Sequence, residues 1–405
     1  MKIDDKTSHN SPSLRFPEFT GEWEKCKLGT LATKVGSGST PKGGDAVYTS
    51  IGHYFVRSQN VGMGFLMLDN IAHINDDIHQ KHKATEIYEN DVLLNITGAS
   101  IGRTAVATKE LEGGNVNQHV CIIRTNSKVN PKFLCDYIQT QRIQNHIKSL
   151  QTGGSREGLN FEQIRSFPIS LPSINEQNKL TCLLDKINER IATQVRLIDR
   201  LQPLIKGINR TIFTGSGLEY SLCDVCEIRS GYSGNQLQGG KGLGVSRIET
   251  ISAHNINLER IGYVAPFDAS ENYRLQVGDI LFSNINSVEY IGNTAFIDKD
   301  YNLYHGMNLL RLIPFRNVVV PFYLYILLNT NRMLKHFKTI CNKAVSQASI
   351  NQKELGKTIV MLPSLEKQKQ VCNIYQAMYS KLKTEKDVLS FYQEQKRYLL
   401  RHMFI

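Results

Sequence analysis

Polar side chains rich in hydrogen-bond donors and acceptors recur at matched places along this chain of 405 residues. In the first half they are Ser39, Thr40 and Lys42; Arg57, Gln59 and Asn60; residues 97–103, ending in Arg103; Asn117, Gln118 and His119; and residues 153–156, ending in Arg156. In the second half they are Tyr232, Asn235 and Gln236; His254 and Asn255; Asn286, Tyr290 and Asn293; His305 and Asn308; and Gln347. Arginine pairs with guanine and asparagine or glutamine with adenine, so loops of this composition suit recognition of base edges. Lys338 and Lys343 add phosphate-binding charge. Residues 301–353 hold seven Lys and Arg and no Asp or Glu, whereas a solvated face normally mixes signs.

Other chemistry finds little support. There is no Gly-x4-Gly-Lys-Ser/Thr phosphate loop, no Asn- or Asp-Pro-Pro-aromatic run of an amino-methyltransferase and no His-Glu-x-x-His. The glycine-rich stretch 36–41 lacks the third glycine of a dinucleotide fingerprint and reads as a turn. Cys223-x-x-Cys226 has no second pair to complete a zinc site. His73, His79 and His82 with Asp76 and Asp77 have no spacing that converges them on a metal, and read as a polar loop. We therefore expect no catalytic residue and no metal.

The elements that must hold these loops come from an internal duplication. Leu171-Pro172-Ser173-Ile174 is answered by Leu362-Pro363-Ser364-Leu365, an offset of 191, and Gln177 by Gln368. Ile101-Gly102-Arg103-Thr104-Ala105 aligns with Ile291-Gly292-Asn293-Thr294-Ala295, and residues 131–143 align with 321–333. The offset drifts between 188 and 194, which puts insertions in loops. Each half is then a globular part followed by a long helix.

Both helices carry a heptad seam. The first seam is Leu180, Leu184, Ile187, Ile191, Gln194, Ile198, Leu201, Ile205, Ile208 and Ile212. The second is Val371, Tyr375, Met378, Leu382, Glu385, Leu389, Tyr392, Lys396, Leu399 and Met403. An antiparallel pair within the chain buries both, placing 180 opposite 403. Gln194 and Glu385 then either hydrogen-bond across the seam or face water at a loosened layer. Ser173 with Glu176 forms a capping box, and Pro203 is expected to kink the first helix near residues 199–201. From 180 to 212 the rise is about 48 Å, or about 14 base pairs of duplex.

Composition agrees with a folded polyanion binder. The 48 Lys and Arg against 37 Asp and Glu give a formal charge of +11, and 41% of residues are hydrophobic. The polar start lacks the apolar core of a signal peptide, and the apolar run 318–328 is too short to span a bilayer. Eight cysteines suggest reduced thiols in a cytoplasm.

This pattern resembles the specificity subunits of type I restriction-modification systems. The resemblance rests on the two Leu-Pro-Ser-(Ile/Leu) helix starts with Gln177 and Gln368. It rests also on the opening Leu14-Arg15-Phe16-Pro17-Glu18-Phe19-x-Gly21-x-Trp23 and on the doubled domain-plus-helix plan. Lys367 departs from the pattern, standing where the first half has Glu176, and no Leu-Arg-Phe-Pro run precedes the second domain. The resemblance implies an α/β (α+β) fold of two similar target-recognition domains joined by two long antiparallel helices in an intramolecular coiled coil with pseudo-twofold symmetry. The boundaries are a disordered tail 1–13, domains 14–172 and 215–363, and helices 173–214 and 364–405. Each domain would read half of a bipartite DNA target, and the helices would set the spacer. Two modification subunits would carry S-adenosylmethionine and adenine methylation, and restriction subunits the ATP- and Mg-dependent steps, leaving no cofactor in this chain. A stand-alone double-headed DNA binder is the alternative; a fused methyltransferase or nuclease lacks its motifs.

Overall fold

The computed structural model describes residues 10–151, 158–212, 217–237, 240–252, 254–343 and 347–405, without the side chains of Asp45, Lys206 and residues 208–212. Residues 1–9 of the expected tail, Arg156 and the Ile208 and Ile212 side chains lie outside these. The chain divides into two compact units, Met1–Val195 with Asp387–Ile405, and Arg196–Lys386. The division falls within both long helices rather than at their ends.

Unit 1 contains β1 (Glu24–Lys27), β2 (Ala32–Ser37), β3 (His53–Val56), β4 (Ala72–Ile74), β5 (Val92–Asn95), β6 (Thr104–Val106), β7 (Asn115–Val116), β8 (Val120–Thr125) and β9 (Pro168–Leu171). Helices α1 (Pro131–Gln139) and α2 (Gln141–Gln151) follow β8, and α3 (Ile174–Ile212) follows β9. The main sheet has the order β2-β8-β5-β6; β4-β3-β7 form a second sheet and β1-β9 a ribbon. Strand alternation buries both faces of the main sheet. Val92, Leu94, Cys121 and Ile123 join a core with α1, α2 and the long helices, while Leu93, Ile122 and Ala105 join a second core under β3 and β7.

Unit 2 repeats the plan with β10 (Leu218–Ser221), β11 (Cys226–Ser230), β12 (Leu243–Val245), β13 (Gly262–Val264), β14 (Ile280–Phe282), β15 (Ile285–Asn286), β16 (Thr294–Phe296), β17 (Leu310–Pro314), β18 (Asn342–Lys343), β19 (Ala348–Ser349) and β20 (Ile359–Leu362). Helices α4 (Pro321–Leu328) and α5 (Asn331–Ile340) match α1 and α2, and α6 (Leu365–His402) matches α3. The sheet order β11-β17-β14-β16 and the ribbon β10-β20 reproduce those of unit 1.

The start of α3 and the end of α6 share the unit 1 core, through Leu180, Leu184 and Ile187 with Leu399, Met403 and Phe404. The Arg190 guanidinium lies over the Tyr392 ring at 5.8 Å, so the two helices run antiparallel there. Every described seam side chain is buried or half-buried. Gln194 and Glu385 are 6% and 8% exposed, so the water-facing alternative does not hold. Helix α3 continues unbroken through Pro203.

Two local expectations change. Residues 10–13, assigned to a disordered tail, are tied down: the Trp23 amide donates to the Asn10 carbonyl at 2.9 Å, and Ser13 Oγ hydrogen-bonds His402 Nδ1 at 3.0 Å. The Ser173 hydroxyl caps the Glu176 amide at 3.4 Å, but the Glu176 carboxylate does not turn back to complete the box. It is buried and takes a bidentate pair from Arg15, both contacts at 2.7 Å, plus the Trp23 indole N–H at 3.3 Å. No helix among the described residues is long and apolar enough to cross a membrane.

Candidate nucleic-acid interface

Strand direction gathers the candidate loops at one end of each sheet. In unit 1, β8 pairs antiparallel with β2 (Ser37 opposite Cys121) and with β5 (Asn95 opposite Val120), and β5 pairs with β6 (Leu94 opposite Thr104). The chain therefore leaves β2 and β5, and enters β8 and β6, at the same edge. Parallel pairing of β3 with β7 brings Arg57 and Asn117 to that edge as well, where the Asn117 amide donates to the Val56 carbonyl at 3.0 Å.

A polar chain crosses this end. The Thr40 hydroxyl donates to Gln118 Oε1. Gln118 Nε2 donates to His119 Nε2 at 3.1 Å, so His119 carries its proton on Nδ1, which lies 2.5 Å from Thr97 Oγ1. Ser39 Oγ bonds His82 Nδ1 at 2.9 Å. Thr40, Lys42, Gln59, Arg103 and Gln118 are exposed. Arg57 is half-buried beside Tyr48, its Nε without a hydrogen-bond partner.

Two expected readers in unit 1 are structural instead. Asn60 is buried; its Oδ1 accepts the Arg57 amide at 3.0 Å and its Nδ2 donates to the Met67 carbonyl at 2.9 Å. Asn117 is buried and accepts the His119 amide at 3.0 Å. Both shape the loops that carry their neighbours.

In unit 2, Ser230, Leu310, Phe282 and Thr294 lie level in the sheet, so residues 231–237, 283–293 and 304–309 share one end. There β19 runs between β15 and β18, which sets Asn286 and Lys343 on either side of Ala348. Asn235, Gln236, Tyr290, Asn308, Lys343 and Gln347 are exposed, and Lys338 is half-buried. His254 and Asn255 are exposed too, on a loop whose His254 carbonyl accepts the Tyr325 hydroxyl at 3.1 Å.

Three second-half candidates do not present their side chains. His305 is 1% exposed, its Nε2 donates to the Leu309 carbonyl at 3.0 Å, and burial pushes it down to about 4, so it is neutral. Asn293 is buried. Tyr232 stacks on Phe267 at 3.6 Å, an aromatic wall rather than a free reader. Within the acid-free stretch, Arg311 is buried against Asp279 at 2.6 Å and Arg316 donates to the Val277 carbonyl at 2.7 Å.

The structure adds residues that were not among the candidate readers. Helix α5 buries Met333 and Phe337 and exposes Arg332 and Lys335. It lies against Gly292, where φ is +83° and a Cβ would stand 2.6 Å from the Phe337 ring. Helix α2 takes the same place beside Gly102, φ +83°, and exposes Arg142 and Lys148. Arg247 is the counterpart of Arg57: each precedes a short 3-10 turn and has its amide held by the side chain three residues on, Thr250 and Asn60. The signal for Arg247 was present in the 190-residue offset.

The remaining chemistry-bearing groups resolve locally. Cys226 is buried with Sγ donating to the Leu222 carbonyl, while Cys223 is exposed beside Ser221. His79 does meet another ring, stacking on His53 at 3.8 Å, with Asn115 Oδ1 at 2.8 Å from its Nδ1. His73 packs instead on Tyr54.

Two repeated α/β units, unit 1 gathering exposed Arg, Lys and Gln and unit 2 exposed Arg, Lys, Asn and Gln at one sheet end, define a duplicated scaffold with one presenting end per unit. The chain belongs to the type I restriction modification DNA specificity domain family, whose model matches residues 20–202 and 218–390. It is similar to the putative type I restriction enzyme MjaX specificity subunit of Methanocaldococcus jannaschii, 38% identical over 187 residues, which is 45% of this chain and 44% of that protein. It is also similar to the EcoBI specificity subunit of Escherichia coli, 24% identical over 135 residues, 33% of this chain and 28% of that protein. These matches span less than half of either relative. Among solved structures, the type I restriction-modification S subunit from M. genitalium matches with a TM-score of 0.62 at 16% identity, over 98% of this chain and 99% of that one. A chain from a type I system solved for its complex assembly matches at 0.58 and 18% identity, over 93% and 96%. At these identities the likeness establishes the fold.

Proposed function

We propose that this chain is the DNA sequence-specificity subunit of a type I restriction-modification complex. Unit 1 and unit 2 each read one half of a bipartite target through their loop ends, and the paired α3 and α6 set the unread spacer. The chain is a non-catalytic component working in the cytoplasm. Two modification subunits supply S-adenosylmethionine and methylate adenine, and restriction subunits supply the ATP- and Mg-dependent steps. One observation carries this reading: the main sheet and the ribbon of the two units match in strand order, while the side chains exposed at their loop ends differ. That is the arrangement required to read two different sequences with one fold.

The test is binding by the purified chain with and without methyltransferase subunits, across a salt series. Weak, steeply salt-dependent binding alone and tight bipartite binding in the complex support the proposal. Nanomolar operator binding by the lone chain favours a stand-alone double-headed binder instead.

A further inference from the structure

The exposed apolar residues of unit 1 include one set that the reading ends do not account for. The loop that follows Arg57 closes as a tight hairpin, with Val61 bridged to Leu66, the Gly62 amide donating to the Phe65 carbonyl at 2.8 Å and the Met67 amide donating to the Asn60 carbonyl at 2.8 Å. Its outward side chains are apolar: Met63 is 39% exposed, Phe65 57% and Met67 36%. Exposed clusters of this kind mark contacts with something outside the fold. The Gly64 amide donates to the Thr104 carbonyl at 2.7 Å, which sets the hairpin tip next to Arg103 at the presenting end of the sheet.

Unit 2 builds the same loop with different chemistry. The Asn257 amide donates to the Thr250 carbonyl at 2.9 Å, matching Met67 and Asn60 at an offset of 190. At the matched turn, Gly64 has φ +88° and His254 has φ +58°. Where unit 1 carries Phe65 and Met67, unit 2 carries Asn255 and Asn257. A protein partner that docks once on each unit meets the same surface both times, and such a surface would keep one chemistry in both loops. The half-sites are what differ between the two units. Phe65 also walls a cleft of about 340 Å³ with Glu110, Lys132 and Asp185, the last two paired at 2.6 Å. The Met63, Phe65 and Met67 side chains have no donor to offer a phosphate, so the duplex contact available to this tip is with base edges. The base edge that offers an apolar group is thymine, through its 5-methyl in the major groove.

We infer that the Met63–Phe65–Met67 tip is an apolar reader specific to unit 1, recognising thymine methyl groups in its half-site. The inference rests on the specificity-subunit reading above. The test uses the assembled complex with its methyltransferase subunits and target duplexes in which each thymine in turn is replaced by deoxyuridine, which removes only the methyl. Wild-type binding should weaken about fourfold at one or more thymines of a single half-site. In Phe65→Ala and Met63→Ala that penalty should vanish, while binding of the deoxyuridine duplex stays as in wild type. Sequence-selective binding with no deoxyuridine penalty anywhere, or penalties that persist in both variants, overturns the inference and leaves the specificity reading standing. Variants that no longer assemble with the methyltransferase subunits overturn it too, and identify the tip as a protein-docking surface. Binding with no preference for either half-site overturns both.

Discussion

The Gln177 side-chain carbonyl accepts the Asn130 backbone amide at 2.8 Å, and Gln368 does the same for Val320 at 2.8 Å. Each glutamine also donates from Nε2 to two carbonyls, those of Lys128 and Pro172 in unit 1 and of Val318 and Pro363 in unit 2. The Gln of the repeated Leu-Pro-Ser motif is thus a buried staple. It fixes the first turn of a long helix to the chain entering α1 or α4, and so couples the helices to the recognition units. Gln177→Ala leaves the Asn130 amide without its acceptor, and should cost about 1–3 kcal/mol of local stability. Hydrogen–deuterium exchange should show the Asn130 amide losing protection, with Val320 unchanged.

Arg15 and Glu176 form a second junction. Because the Glu176 carboxylate is 2% exposed, Arg15→Ala strands a buried charge and should destabilise unit 1 by about 3–5 kcal/mol. Arg15→Met combined with Glu176→Leu should recover most of that loss, since neither charge then remains. Thermal unfolding of the two variants beside the wild type checks the order.

Asp136 gives a pH dependence. Burial pushes its carboxyl up to about 7 against an ordinary 3.8, with Lys396 opposing the shift. The native chain therefore binds a proton that the unfolded chain has released between these values. Stability should fall as pH rises from about 4 to about 7 and flatten above it. Asp136→Asn should remove that slope and gain on the order of 1–3 kcal/mol above pH 7, read from urea unfolding at pH 5 and pH 8.

Base and phosphate contacts should separate by mutation. Charge reversal at Lys335 or Lys343 should weaken binding to all sequences and reduce the salt slope by about 1 for each phosphate no longer neutralised. Gln59→Ala or Arg103→Ala should instead relax one base position by about 1–3 kcal/mol. Binding of single-mismatch duplexes at several salt concentrations distinguishes the two patterns.

The helices should act as a length standard. Removing one heptad from each, residues 191–197 and 382–388, shortens the rods by about 10 Å, or about 3 base pairs. Targets selected by the shortened complex should keep both half-sites and lose spacer.

Much of the fold was legible because hydrophobic spacing and duplication are global signals. The seam from Leu180 to Ile205 and its partner from Val371 to Met403 followed from heptad positions alone. The site was harder, because sequence cannot tell a polar side chain that reads from one that shapes. Asn60, Asn117 and His305 have the right chemistry for bases, yet each closes a turn. Arg332 and Lys335 were visible as charge but became surface only once Met333 and Phe337 fixed which face of α5 is buried. The loop of His254 and Asn255 was set beside that of Arg57, Gln59 and Asn60, whereas backbone geometry equates His254 with Gly64, and that shift concealed Arg247.

The most direct measurement exchanges residues 22–170 for the same segment of a family member of different specificity and maps methylated adenines genome-wide in cells carrying the partner subunits. One half-site should change while the other half-site and the spacer stay constant. Change in both half-sites, or in neither, contradicts the specificity reading.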